Sequence, residues 1–249
     1  MANAIFFKAG SHSAVALCGR LAEDAKTFTA KKDGKTYTGL KLVTGDTYRS
    51  KDGVRRTTQT VTVFVEGALE AKSADILAVT GDISTTVVCP KSESNKYEVT
   101  QLTVHSAKAE VAAHCAPESF NGMNKAEIIG RVGSVRTVKT EKLSGCVVNV
   151  AVSRSEKTAE GYKDQTDWID VTFWGKRSET VLKKVGKGDL LLVKGKLNSR
   201  TTTVAGKQRS LLGFVAEDFN ILHKKPQVTA PVVVTPASSD SEDDEYPMF

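Results

Sequence analysis

Short stretches of alternating apolar and polar residues, separated by polar turns that contain glycine, run through most of this chain, and Val and Thr are abundant in them. Alternation with a period of two marks strands that bury one face, so the pattern predicts an all-β protein. In the second half it predicts strands over 125–138, 146–154, 166–174, 189–199 and 210–223. A polar hairpin is expected at 155–165 and one helix over 176–186. The first half repeats the order, with strands over 13–29, 36–47, 58–66, 82–89 and 97–107 and a helix over 67–79. Five strands with one helix between the third and fourth is the plan of the OB-fold, a small Greek-key barrel.

Local sequence supports a duplication. Cys18-Gly19-Arg20-Leu21 returns as Ile129-Gly130-Arg131-Val132, and Val79-Thr80-Gly81-Asp82-Ile83 resembles Gly186-Lys187-Gly188-Asp189-Leu190. Gly19 and Gly81 stand 62 positions apart, Gly130 and Gly188 58, a near-constant spacing that predicts two copies of one domain. The expected organisation is two tandem OB-folds, at 1–110 and 124–225, joined by a linker at 111–123. After Lys224, Lys225 and Pro226 the Thr/Pro/Val/Ser-rich sequence has no core pattern, so 226–249 is expected to be a disordered acidic tail.

Charge sharpens this division. The 249 residues include 35 Lys+Arg and 29 Asp+Glu, a net +6. The tail carries five acids and no base, which leaves +11 on the body, divided as +3 over 1–115 and +8 over 116–225. A basic body with an acidic arm points to a polyanion as partner. No apolar run approaches the roughly 18 residues of a membrane span, and the N-terminus lacks the pattern of a secretory signal, so a cytoplasmic location is expected. The four cysteines form no CxxC pair, and His114–Cys115 is the only adjacent His/Cys pair, so neither a metal nor another cofactor is expected.

The strand Thr166–Trp174 carries the most chemistry. Ile169, Val171 and Phe173 share one face, which must be the core, and Trp168, Asp170, Thr172 and Trp174 share the other. Both tryptophans of the chain thus fall on the polar face of one strand, about 20 Å apart at ~3.3 Å per residue. Flat rings on an outer sheet face suit the stacking of unpaired bases. Lys194 and Lys196 alternate away from Val193 and Leu197, while Arg154, Lys163, Lys176, Arg200 and Arg209 add the charge a phosphate backbone requires. In the first copy Val61, Val63 and Val65 mark the core face, which leaves Phe64 outside as a candidate stacker, with Tyr37 on the preceding strand. The hairpin at 48–56 offers Tyr48, Arg49, Arg55 and Arg56.

On these residues the second copy resembles the bacterial-type single-stranded DNA-binding protein family. The resemblance is carried by Asn124 to Val132, Thr166 to Lys176 and Lys187 to Leu197, and covers nearly all of 124–223. It implies that Trp168 and Trp174 stack on DNA bases, and that a dimer of such two-fold chains gathers four OB-folds. The chain end is similar too: Asp243, Asp244, Glu245, Pro247 and Phe249 match the acidic stretch, proline and final phenylalanine that dock replication and repair proteins, with Met248 inserted. Further tryptophans usual in the family are absent from Ser155-Glu156-Lys157 and Arg200-Thr201-Thr202, with Tyr162 the candidate substitute.

The sequence therefore predicts a non-catalytic protein that coats single-stranded DNA during replication, recombination and repair, recruits partner proteins through its tail and forms a homodimer. Two alternatives stand beside it. One is an OB-fold module for RNA or for protein contacts, which fold alone does not separate. The other is a metal-dependent nuclease using Asp164, Asp167 and Asp170.

Overall fold

The computed structural model describes residues 11–30, 34–50, 53–89, 99–114, 120–139, 144–158, 161–204 and 207–225. Their order is β1 (His12–Leu21), β2 (Lys26–Thr29), β3 (Thr36–Ser50), β4 (Gly53–Glu66), β5 (Ile76–Cys89) and β6 (Val99–Ala113), then β7 (Met123–Lys139), β8 (Ser144–Thr158), β9 (Gly161–Trp174), α1 (Lys176–Lys184), β10 (Leu190–Val204) and β11 (Lys207–His223). No helix among the described residues is long and apolar enough to cross a membrane.

Pairing closes two rings. β7 pairs with β8, β8 with β9, β9 with β11 in parallel, β11 with β10, and β10 returns to β7. β1, β3, β4, β6 and β5 close in the same way, again with one parallel pair, between β4 and β6. Each ring is a five-stranded OB barrel, and closure leaves few open sheet edges. Alternation fills the barrels as expected: Val61, Val63 and Val65 line the first, and Ile169, Val171 and Phe173 the second, all buried.

The barrels are joined through their first strands. β1 runs antiparallel to β7, from His12↔Ile129 to Cys18↔Met123. Adding 111 to a β1 number gives its β7 counterpart, as Gly19 to Gly130, and in this register Val15 and Ala126 lie opposite each other while being mutual counterparts. A local two-fold axis therefore passes between Val15 and Ala126. A second pair of bonds obeys the same axis. The Thr85 N–H and hydroxyl both donate to Asp167 Oδ1 at 2.8 Å, and the Ser199 N–H and hydroxyl both donate to Gln59 Oε1 at 3.1 and 3.3 Å. Each barrel thus reaches across to hold its neighbour.

Three expectations need correction. The repeat is real, but its second marker was out of register. Gly81 corresponds to Gly195, since both sit at a register shift where a Cβ would collide with the facing carbonyl, of His105 or Val215. The counterpart of Gly188-Asp189 is Ala74-Asp75: Ala74 N–H donates to Leu21 O as Gly188 N–H does to Val132 O. Ala74 adopts φ 72° and Gly188 φ 91°, so one copy places alanine in a left-handed turn and hides the match. The helix over 67–79 is also absent. Only nine residues separate β4 from β5, and the N–H groups of Gly67, Leu69, Lys72 and Ser73 go to Thr36 O, Thr38 Oγ1, Asp75 Oδ2 and Asp24 Oδ1 rather than to helical partners. Residues 76–79 become the start of β5. Finally, the strand expected over 13–29 divides into β1 and β2, and β6 runs on to Ala113, into the expected linker. Residues 226–249 lie outside the described set.

Asp75 and Asp189 close matching turns, each nearly buried. Bonds from the Lys72 N–H and then the His114 ring hold the Asp75 carboxyl below the usual range. Burial opposes ionisation of Asp189, but the Lys224 ammonium and the Gly186 and Lys225 N–H groups outweigh it, and its carboxyl is lowered as well. A lowered folded-state value means that the stabilisation is complete above the ordinary Asp value of 3.8 and is lost as pH falls through the folded value. The urea midpoint of the protein is therefore expected to drop on acidification below about pH 4. Asp189→Asn should lower the midpoint at neutral pH and flatten part of that acid slope, and an unchanged slope would contradict the assignment.

Candidate nucleic-acid interface

Strand β9 turns Ile169, Val171 and Phe173 fully inward, which forces Trp168, Asp170, Thr172 and Trp174 outward. Trp168 is 50% exposed despite its size. Each indole lies down on a glycine. The six-membered ring of Trp168 occupies the space where a Cβ of Gly133, on β7, would project, and Asn149 of β8 borders that same space. Trp174 covers Gly145, its cross-strand partner on β8, where a Cβ would come within 2.6 Å of the ring. Glycines under the rings let the indoles lie on the sheet, held in place at modest entropy cost.

Between the two tryptophans stands a polar trio. Arg136 Nη2 donates to Asp170 Oδ2 at 2.6 Å, and Asn149 Nδ2 to Asp170 Oδ1 at 2.8 Å. Arg136, from β7, is a cation that reading β9 alone did not find.

The remaining candidates divide by what holds them. Lys163, Lys176 and Arg200 are exposed. Lys194 pairs with Glu127 at 3.7 Å and Lys196 with Glu217 at 3.2 Å, both near the surface. Arg154 turns toward the junction between barrels: its Nε donates to the buried Asp167 at 2.7 Å and its Nη2 to Gln165 at 2.8 Å. Arg56 donates to Phe120 O at 2.6 Å, just ahead of β7, while Arg55 is exposed. Tyr48, Arg49, Tyr162 and Arg209 fall on strands, but their side chains lie outside the described set, as do Asp243, Asp244, Glu245, Pro247, Met248 and Phe249. The carboxylates of the nuclease alternative do not converge. Asp167 points inward to Thr85 and Arg154, Asp170 points outward to Arg136, and Asp164 bonds Ser155.

The first barrel presents a different surface. Phe28, on β2, links Tyr37 at 6.3 Å and Phe64 at 5.9 Å between ring centroids, and Phe64 continues to His105 at 6.0 Å. Phe28 is 44% exposed, and neither it nor His105 was singled out in the sequence. Its pairing with Tyr37 across the β2–β3 hairpin became visible only once β2 separated from β1.

Comparison with known proteins places residues 123–222 under the model of the Single-strand binding protein family. The chain is 33% identical over 109 residues to single-stranded DNA-binding protein 1 of Clostridium acetobutylicum, covering 42% of this chain and 98% of that one. It is 33% identical over 112 residues to the single-stranded DNA-binding protein of Thermosynechococcus vestitus, covering 42% of this chain and 86% of the other. Both barrels superpose on the crystal structure of the wild-type single-stranded DNA binding protein from Thermus aquaticus, with a TM-score of 0.62 at 17% identity over 87% of this chain and 95% of that one. A deletion mutant of that protein gives 0.63, over 88% and 99%. These last two likenesses establish the double-barrel fold.

The glycine seat is testable by spectroscopy. In a Trp174→Phe background, Gly133→Ala should lift the Trp168 ring, because the added Cβ meets the far end of a side chain rather than backbone. Trp168 emission should shift while far-UV dichroism holds and stability changes by no more than about 1 kcal/mol. Unchanged emission would contradict this ring placement.

Proposed function

This chain belongs to the single-strand binding protein family, and we propose that it coats single-stranded DNA without catalysing any reaction on it. The observation that carries the reading is the outward row of β9, where Trp168 and Trp174 lie on Gly133 and Gly145 and leave aromatic surface to solvent. Bases stack on these rings with little sequence preference, since every base has a π-face. Phosphates are neutralised by Arg136, Lys163, Lys176, Lys194, Lys196 and Arg200, whereas Arg154 and Arg56 serve the chain's own architecture. In the first barrel Phe64, Tyr37 and Phe28 add a second aromatic surface.

The tail completes the proposal. Asp243, Asp244, Glu245, Pro247, Met248 and Phe249 recruit replication, recombination and repair proteins, and two chains assemble as a homodimer. A cytoplasmic, nucleoid-associated setting suits this work.

Three outcomes are expected in titrations with oligo-dT. Alanine at Trp168 and Trp174 together should weaken binding, by about 1–3 kcal/mol for each stacked base lost; unchanged affinity would rule stacking out. Log affinity should fall linearly with log salt. Asp170→Asn should raise affinity modestly, because it removes the anion that pairs with Arg136 in the middle of the row; weaker binding would contradict the role given to Arg136. Persistence of binding in chelator, with the oligonucleotide intact, separates this reading from the nuclease, and competition by RNA separates it from an RNA module.

A further inference from the structure

A cleft of about 120 Å³ opens between the barrels. Thr60, Thr62 and Phe64 of β4 form one wall, and Ser199 of β10 and Ser210 of β11 the other. The strand register carries Val63 onto Val171, so the local two-fold places Thr60, Thr62 and Phe64 where the second barrel has Trp168, Asp170 and Thr172. The cleft therefore lies in the first barrel's counterpart of the tryptophan row, with a small threonine in place of the indole. Its remaining lining, Leu102, Thr103 and Leu212, includes the two leucines that are counterparts across the axis.

Among the described residues, no charged side chain lines this space. A phosphate would find no counter-charge there, while an aromatic ring, two leucines and several hydroxyls suit a flat heterocycle with a polar edge. Two of those hydroxyls have their protons already committed. Thr103 donates to Thr86 Oγ1 at 3.0 Å and Ser199 to Gln59 Oε1 at 3.3 Å, so toward a further partner both oxygens can only accept. Every nucleobase carries an amino or imide N–H on its pairing edge.

We propose that this cleft takes one unstacked nucleobase of the bound strand as it crosses between barrels, with Phe64 against its face and the Thr103 and Ser199 oxygens accepting from its edge. The site rests on the single-stranded DNA reading above and extends it to a place where the base enters the protein instead of lying on a ring.

The test uses the full chain with oligo-dT carrying 5-iodouracil, followed by irradiation and mass spectrometry, and tryptophan quenching in parallel. The expected result is an adduct on Phe64 and normal quenching. Ser210→Leu, at an exposed position, should fill the cleft, abolish the adduct and weaken long oligonucleotides about fivefold or more, with an unchanged salt slope because no phosphate contact is lost. Oligonucleotides too short to leave the tryptophan row should bind Ser210→Leu normally, which separates occupation of the cleft from misfolding. Normal quenching with adducts confined to Trp168 and Trp174 would overturn the cleft proposal alone. Neither quenching nor adducts with the wild-type chain would overturn both it and the parent reading.

Discussion

The antiparallel pairing of β1 with β7 is the constraint on which the rest of this molecule depends. Each strand already belongs to a closed barrel, and seven further residue pairs tie the two barrels into one sheet. Val15, Leu17, Ala126 and Ile128 are buried there, so the junction gains apolar burial as well as backbone bonds. The register also fixes the local two-fold, which in turn brings β5 against β9 and β10 against β4. Asp167 and Gln59 then accept the same pair of donors from Thr85 and Ser199. A slip of one residue in this pairing would move the axis and undo both clamps.

Within this symmetric frame the two copies have diverged in chemistry. The second barrel sets two indoles on glycines and carries +8 of the net charge of the body, against +3 for the first. The first barrel instead clusters Phe28, Tyr37, Phe64 and His105 and keeps a cleft beside the axis whose described lining is uncharged. One copy thus presents rigid rings with strong charge, and the other a softer aromatic surface with hydroxyls. A duplicated barrel allows this division, because its core positions hold the frame while the outward positions of the same strands are free to change.

Most of the frame was legible in the alternation of residues. Every inward triplet, from Val61 to Val65 and from Ile169 to Phe173, fell where a period of two put it. What escaped depended on partners distant in sequence. The out-of-register marker arose because a left-handed turn tolerates either Gly188 or Ala74, so letters differ where backbone does not. The missing helix reflects loop length, since the N–H groups of Gly67, Leu69, Lys72, Ser73 and Ala74 go to β3, Asp75, the β1–β2 connection and the end of β1. Arg154 and Arg56 looked like free cations, yet Asp167 and the Phe120 carbonyl claim them, through contacts that cross the fold. Arg136 was overlooked for the converse reason: its place in the tryptophan row is set by the pairing of β7 with β8, not by its neighbours in the chain.

The central claim is that a single strand of DNA lies along the outer faces of β9 and β4, on either side of the two-fold. Amide hydrogen exchange with and without saturating oligo-dT tests it most directly. Slowed exchange is expected in β8 and β9 around Gly145, Trp168 and Trp174 and in β4 around Thr60 to Phe64, with α1 unaffected. Protection confined to α1 and the far side of β11, or no change along β9, would contradict it.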